Sequence, residues 1–519
     1  MKIQAILFFL LAGVVLSGCY KDKGNYNYKK LTRIEVSDFS NVESVTIGDT
    51  VRVVPRFVYS TNDTVMNLKY EWTFAGKVIS TERNLEYVTD TVAKGNCILV
   101  VEDVDNEVFF TKDFYLTVGY KYEKQGFLVL AEKNGSSSLS FLTQGYTSGV
   151  GMTFNVVSDI YELENKEKLG GTPFKIHEHF CKDGDTKSQI LVLQDGGLGL
   201  VDVNGLTFKK EVTGNQIFVG GWPAGLRVVN TMFMQWVDLL QDDRGRLYSR
   251  VKSTNQLFHS EYFLPDPLKY EGEVIEDAEV ILGVFADPKL CLIYDGKNNR
   301  FLALMDFNDE EGNNVVGLIR TLKAEKHPAE YAPLENMGDY RPVYTGYLRG
   351  LANNSSGIAY FSILEKGGKF YHQEFIIERE YTSSEIGVDT LTQVEVPGLA
   401  GVVNENSVIY ALPYLDNGHY VFIANGNQLY LYDAETPENG VKLYMTFESD
   451  ITAMDGEFFR SNYLGVGLEN GRVFVLTMIN AKNLQTDEEK IWWQSPTGVD
   501  LGHIKSIRYR VMSGNSWNP

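Results

Sequence analysis

Histidine and cysteine are scarce in this sequence, with seven His and four Cys in 519 residues. The cysteines, Cys19, Cys97, Cys181 and Cys291, stand far apart and form no C-x-x-C pair, which removes the common zinc and redox spacings. Cys97 precedes Ile98-Leu99-Val100 and Cys291 lies within Leu290–Tyr294. In such apolar, strand-like settings a free thiol packs as a small hydrophobe, so Cys97, Cys181 and Cys291 are expected to be unpaired core residues. Basic residues are also few. There are 48 Lys and Arg against 68 Asp and Glu, a net charge of −20, which argues against sequence-independent nucleic-acid binding because that needs clustered cations to displace counterions. The same balance disfavours electrostatic adhesion to anionic lipid. No G-x-S-x-G elbow, H-E-x-x-H helix or phosphate-binding P-loop occurs, so no motif supplies a catalytic residue, metal or cofactor. Helical periodicity is almost missing as well. One short helix is expected around Thr321–Tyr331, and Pro328 limits it.

What is present begins at the amino terminus. Lys2 is followed by an apolar run from Ala5 to Leu16, then Ser17, Gly18 and Cys19. The run is about 12 residues, short of the roughly 20 that cross a bilayer as a helix, and its layout is that of a secretory signal. Leu16-Ser17-Gly18-Cys19 resembles the lipobox of bacterial lipoproteins. That resemblance implies cleavage before Cys19, diacylation of its thiol and acylation of the new amino terminus. Lipid chains in that number hold a protein firmly, since two already suffice. Removing residues 1–18 takes Lys2 with them and leaves 47 basic against 68 acidic residues. Tyr20 stands where an Asp would favour inner-membrane retention, and Lys21-Asp22 resembles a surface-export signal of Bacteroidetes lipoproteins. Outer-membrane anchoring is therefore expected, with the cell surface or the periplasm both open.

Residues 19–30 read as a polar tether, with Gly and Asn and no apolar periodicity. Alternation then sets in: Ile34 and Val36; Val45 and Ile47; Val51, Val53, Pro55 and Phe57. A period of two marks half-buried strands. Tyr70-x-Trp72-x-Phe74 puts three aromatics on one strand face, and Ile98–Val101 and Phe114–Val118 complete a sandwich over residues 31–118, of immunoglobulin-like size. The Trp72 strand, the apolar stretch Cys97–Glu102 with Asp103, and Phe114–Val118 together resemble the PKD-like domains of Bacteroidetes lipoproteins. Phe74-Ala75-Gly76-Lys77 replaces the Gly-Asp-Gly turn of the fuller PKD signature. The resemblance covers residues 20–118 and implies a spacer or adhesion module beside the lipid, often followed by a longer β-rich module, with no catalytic residues.

From residue 119 to residue 519 one pattern recurs seven times: apolar strand, tight turn, apolar strand. The turns are Asn134-Gly135, Asp195-Gly196, Asp243-Arg244-Gly245, Asp295-Gly296, Gly367-Gly368, Asn425-Gly426 and Asn470-Gly471. Gly, Asn and Asp tolerate the positive φ such hairpins need. The first and last turns are separated by 336 positions, so the mean period is about 56 residues, which suits propeller blades. Blades are four-stranded sheets that bury their faces by stacking around an axis. The expected fold is all-β: a PKD/immunoglobulin-like sandwich followed by a seven-bladed β-propeller, with Trp492-Trp493 and Ile504–Val511 available to close the ring. Uneven intervals leave six or eight blades open, and two consecutive sandwiches are the rival.

Few residues stand out as chemistry. His177-Glu178-His179 places two imidazoles on one strand face, but the spacing is common and no third ligand is apparent; solvated strand residues are expected. Asp306-Phe307-Asn308-Asp309-Glu310 imitates the start of a calcium loop, yet Glu311 stands where the turn needs Gly, so a mobile acidic loop is expected, and Asp183-Gly184-Asp185 reads as a turn. Aromatics make up 13% of the chain, and Tyr and Trp suit glycan and peptide recognition. Trp222, in Gly221-Trp222-Pro223-Ala224-Gly225, is the one ligand-binding candidate, with a buried loop plug as its alternative. The expectation is an outer-membrane lipoprotein that binds glycan, peptide or protein without catalysis, and the family resemblance adds an outer-membrane nutrient importer as partner. A propeller hydrolase or lyase acting on polysaccharide or peptide is the alternative class.

Overall fold

A computed structural model describes residues 31–37, 42–61, 66–149, 151–179, 189–234, 236–251, 261–282, 289–325, 327–347, 357–379, 383–412, 419–457 and 462–510. Cys19, Cys181 and Asp183–Asp185 lie outside the described residues. The chain divides into two compact units, Met1–Tyr120 and Lys121–Pro519.

In the first unit a five-stranded sheet runs in the spatial order Val42–Thr46, Val108–Gly119, Ala93–Asp103, Leu68–Phe74, Lys77–Ser80. Two strand pairs, Ile34–Ser37 with Arg56–Tyr59 and Thr50–Val53 with Leu85–Val88, stand beside it in the chain's topology. Alternation decides what they bury. Ala93–Asp103 sends Cys97, Leu99 and Val101 inward and leaves Ile98 at the surface, as a period of two requires. Trp72, Phe74, Leu85 and Leu116 fill the same core. Trp72 is fully buried, and its indole N–H donates to Glu82 O at 3.0 Å, which removes the cost of an unpaired buried donor. Cys97 is free and buried, and desolvation pushes its thiol up to about 12.

Among the described residues the second unit contains, beside one two-stranded pair, Lys269–Tyr270 with Glu273–Val274, seven successive antiparallel sheets of three or four strands. Their innermost strands, from the first blade to the seventh, are His503–Arg510, Thr172–His179, Val228–Phe233, Ala278–Leu282, Arg341–Tyr347, Val408–Ala411 and Ile451–Gly456. Each of these touches the innermost strand of the next blade, and the seventh touches the first. The sheets therefore form a closed ring, a seven-bladed β-propeller. Six blades have four described strands and the third has three. The carboxy-terminal strand His503–Arg510 pairs antiparallel with Gly126–Lys133, so the two ends of this unit share the first blade and lock the ring.

The cores agree with the sheets. Seven apolar clusters each join one blade to the next, including the one that joins the seventh blade to the first. In that closing interface Gly465 and Gly467 lie flat against the first blade. A Cβ on Gly465 would meet Phe127 Cε1 at 2.7 Å, and one on Gly467 would meet Ile504 Cγ2 at 2.6 Å.

The seven hairpins legible in the sequence are the two central strands of each blade. Gly126–Lys133, Leu290–Asp295 and Tyr463–Leu468 are buried almost end to end, because a blade lies against each of their faces. In the second blade the returning strand begins at Val201, so Leu198–Leu200 belongs to the turn. The helix expected at Thr321–Tyr331 is not there. Asn314–Thr321 is a strand, Leu322 N donates to Phe301 O and Glu325 N to Val388 O; sheet partners on two blades take the amides a helix would have used. Short helices occur at Ile160–Asn165 and Asp487–Lys490. Ile491–Gln494, with Trp492 and Trp493, forms the outermost strand of the seventh blade.

Candidate functional site

The innermost strands face the propeller axis, and their sequences differ from the apolar strands behind them. Five of the seven carry a bulge, one extra residue against the neighbouring strand, at Phe174, Val229, Val343, Thr452 and Lys505. A bulge re-aims the side chains that follow it. Immediately beyond three of these bulges come Lys175, Asn230 and Tyr344. Glu279, Tyr410, Asp455 and Arg508 are contributed by the other four strands, so every blade supplies at least one polar group.

Lys175 and Glu279 retain open surface although protein surrounds both of them. Those two properties coincide where a side chain lines an internal channel. Lys175 Nζ donates to Asn230 Oδ1 at 2.9 Å, and Asn230 Nδ2 donates to Gln241 Oε1 at 3.2 Å. Ile176 N donates to Ser506 Oγ at 3.3 Å, which fixes the strand bearing Lys175 against the strand bearing Arg508. Asp455 accepts from Tyr509 N at 2.6 Å and lies 3.4 Å from Arg508 Nη1. Across the channel, Tyr344 Oη accepts from Ala411 N at 3.1 Å. The Tyr410 ring lies over Gly456, where a Cβ would approach Tyr410 Cε1 to 3.2 Å.

Enclosure sets the protonation states. Desolvation raises the carboxyls of Glu279 and Asp455, with Lys175 opposing the shift at Glu279 and Arg508 opposing it at Asp455. Burial and the Arg508 charge lower Lys175. Burial pushes the Tyr344 phenol up to about 12 and raises Tyr410 well above its ordinary value, so both phenols keep their protons at neutral pH. His177 also faces this region. Desolvation first, then the charges of Lys175, Arg508 and His179, hold it well below its ordinary 6.5, with Asn230 as its hydrogen-bond partner.

A depressed histidine has a definite effect on stability. The unfolded chain takes up a proton that folded His177 refuses, so its contribution is full above about pH 6.5 and is lost as pH falls through the folded value. The raised Glu279 and Asp455 act in the opposite sense, favouring the folded state as pH falls. In urea unfolding, the native chain is expected to lose more stability than His177→Gln between about pH 7 and about pH 5. Equal losses would show that His177 is protonated in the folded protein.

Of the two histidines of His177-Glu178-His179, His177 is half-buried and His179 is not solvated, which corrects the expectation from sequence for His179. His179 is buried, 3.0 Å from Asp202 Oδ1, and stacks on Phe233 at a centroid separation of 4.3 Å. Among the described residues no group of three His, Cys, Asp or Glu side chains is placed to hold a metal. Asp306 is a fully buried strand residue that accepts from Trp236 N and Gly317 N, both at 2.9 Å. Asp309 closes a turn through the amides of Glu311 and Asn313. Trp222 is half-buried and packs on the apolar cluster between the second and third blades. Its indole N–H donates to Leu226 O at 3.1 Å, its ring packs edge-on to Phe218, and a Cβ on Gly214 would strike it at 2.4 Å.

Sequence reasoning weighed His177 and His179 as a metal-ligand pair, set them aside as solvated, and missed Lys175, Glu279, Tyr344, Tyr410, Asp455 and Arg508. The available signal was the innermost strand, which in the second to seventh blades lies just before the apolar hairpin and in the first is the last strand of the chain's described residues, and which carries a polar residue among apolar ones.

Residues 19–173 match the sequence profile of the PKD-like family. None of the curated proteins matches the chain. Among solved structures, the chain is similar to a quinonprotein alcohol dehydrogenase-like protein from Bacteroides thetaiotaomicron, at 13% identity and a TM-score of 0.30, over 91% of this chain and 97% of that one. It is also similar to AztD from Citrobacter koseri, at 11% identity and a TM-score of 0.36, over 80% and 94%. BamB from Moraxella catarrhalis follows at 9% identity and 0.29, over 73% and 88%.

Proposed function

We propose that this chain is a lipid-anchored, non-enzymatic binding protein of the outer membrane, held through Cys19, whose propeller channel takes a small polar ligand or the polar end of a glycan or peptide. The single observation that carries this reading is the ring of polar side chains, at least one from each blade, enclosed on the propeller axis. Enclosed sites with a few convergent polar groups are where ligands bind, and preset donors and acceptors lower the cost of ordering on binding. The PKD-like portion serves as the spacer beside the lipid. Association with an outer-membrane nutrient importer belongs to the same proposal, with the lipoprotein as its accessory subunit.

The anchor is tested by Cys19→Ser. The variant is expected to move from the membrane fraction to the soluble fraction with an unchanged thermal transition; retention on membranes would remove the anchor from the account. Binding is tested on glycan and peptide arrays, where a ligand returned unaltered is the expected result.

One observation favours a second reading. His177 is held neutral beside Lys175, and a neutral imidazole in an enclosed site can accept a proton from a substrate. Turnover of any arrayed glycan or peptide would replace the binding protein with a propeller enzyme.

A further inference from the structure

Lys175 and Arg508 lie on adjacent innermost strands, pinned together by the Ile176 N to Ser506 Oγ hydrogen bond. Lys175 has Asn230, a neutral group, as its hydrogen-bond partner. Arg508 is only loosely matched: Asp455 stands 3.4 Å away, and the same carboxylate also accepts from Tyr509 N at 2.6 Å. Arg508 Nε is buried and makes no hydrogen bond among the described residues, yet the side chain keeps 31% of its surface open. Two cations thus face one enclosed space, Lys175 beside a neutral amide and Arg508 in a long ion pair with Asp455. In a chain of net charge −20, such a pair is not explained by the general charge of the protein.

The rest of the ring limits what could fill that space. Glu279, open to the channel, and Asp455 would repel a dianion. Glu279 has room for a donor facing it, and the Tyr344 phenol, which accepts from Ala411 N, still has its proton to offer to a hydroxyl group, whereas Tyr410 hydrogen-bonds Asp455. Resting on the reading of the channel as a binding site, we infer that it holds a monoanionic carboxylate that also bears hydroxyl or ammonium groups, its carboxylate between Lys175 and Arg508 and its donors toward Glu279. Acid sugars and amino acids share this chemistry.

Calorimetric titration of the full chain with galacturonate, glutamate and galactose tests the inference. One of the two carboxylates is expected to bind at least about tenfold more tightly than galactose, as a charge-assisted pair requires. Galacturonate alone would mark an acid sugar as the ligand, glutamate alone an amino acid. Lys175→Gln should weaken the carboxylate by about tenfold or more, and Lys175→Arg should retain it. Glu279→Gln, which leaves both cations in place, should weaken glutamate, whose ammonium faces Glu279, more than galacturonate, whose hydroxyls a glutamine still accepts. Galactose binding as tightly as galacturonate would leave a binding channel and overturn the anion site. Absence of any carboxylate binding, or unchanged affinity in a folded Lys175→Gln, would overturn it as well.

Discussion

Ending the chain at Gly502 abolishes cooperative folding of the propeller: calorimetry is expected to show its thermal transition lost and the sandwich transition kept. The strand removed, His503–Arg510, is the innermost strand of the first blade and the partner of Gly126–Lys133. It carries Ile504, Ile507 and Tyr509 into the core shared with the seventh blade. Deleting large buried side chains costs about 2–5 kcal/mol each, and three of them together match the whole stability of an ordinary domain, about 5–15 kcal/mol. Arg510 leaves as well. It is fully buried, donates to Tyr122 O at 2.8 Å and to Gly205 O, and lies over the Phe141 ring at 5.1 Å. Burial pulls its guanidinium down to about 10, so it stays charged at neutral pH and ties the first blade to the second. A truncated chain that kept a sharp propeller transition would mean the ring does not depend on its closing strand.

Arg250→Met is the second change with a large expected effect, a loss of about 3–5 kcal/mol in denaturant unfolding of the propeller. Arg250 and Asp238 belong to neighbouring strands of the third blade and are both buried, with Nε 2.7 Å from Asp238 Oδ2. Arg250 Nη1 also donates to Glu261 O at 3.3 Å, and the guanidinium lies over Phe263 at 5.0 Å. Removing the cation alone takes the Arg250 charge from a fully buried carboxylate, which is the costly half of such a pair. Replacing both, as Arg250→Met with Asp238→Leu, is expected to recover most of the loss, because the desolvation of two charges is then avoided. A single variant as stable as the native chain would show that water reaches Asp238.

These energetics explain which parts of the molecule the sequence revealed. The central strands of each blade are covered on both faces, so their apolar runs, such as Leu290–Tyr294 and Tyr420–Ile423, stood out, and the Gly-bearing turns between them pointed to seven repeats while their uneven intervals left six or eight open. The innermost strands were obscured for two reasons. Channel-facing side chains such as Lys175, Asn230, Glu279, Asp455 and Arg508 interrupt the apolar pattern, and the bulges at Phe174, Val229, Val343, Thr452 and Lys505 break the period of two. In the sandwich, alternation sufficed because each strand has one buried face, and Trp72 marked the core. The candidate site was the least legible part. Its members are separated by up to 333 positions, from Lys175 to Arg508, and only ring closure brings them together. Thr321–Tyr331 misled because its composition resembles a helix while its amides are claimed by neighbouring strands.

Lys175 and Arg508 also place two cations in the channel, beside the carboxyls of Glu279 and Asp455, in a chain whose net charge is −20. An acidic exterior slows the approach of anions, most strongly at low salt. A ligand that enters under those conditions is held by contacts within the channel rather than by long-range attraction. Adding salt is therefore expected to affect its association less adversely than for a protein with a basic surface.

The central claim, that the propeller axis is where this protein binds, is tested most directly by a crystal structure with the best ligand from the arrays. The account predicts density on the axis, in hydrogen-bond reach of Lys175 or Arg508 and of at least one of Glu279, Tyr344 and Tyr410. Density confined to the outer strands, to the loop of Trp222 or to the sandwich, with the axial ring unaltered, would contradict it.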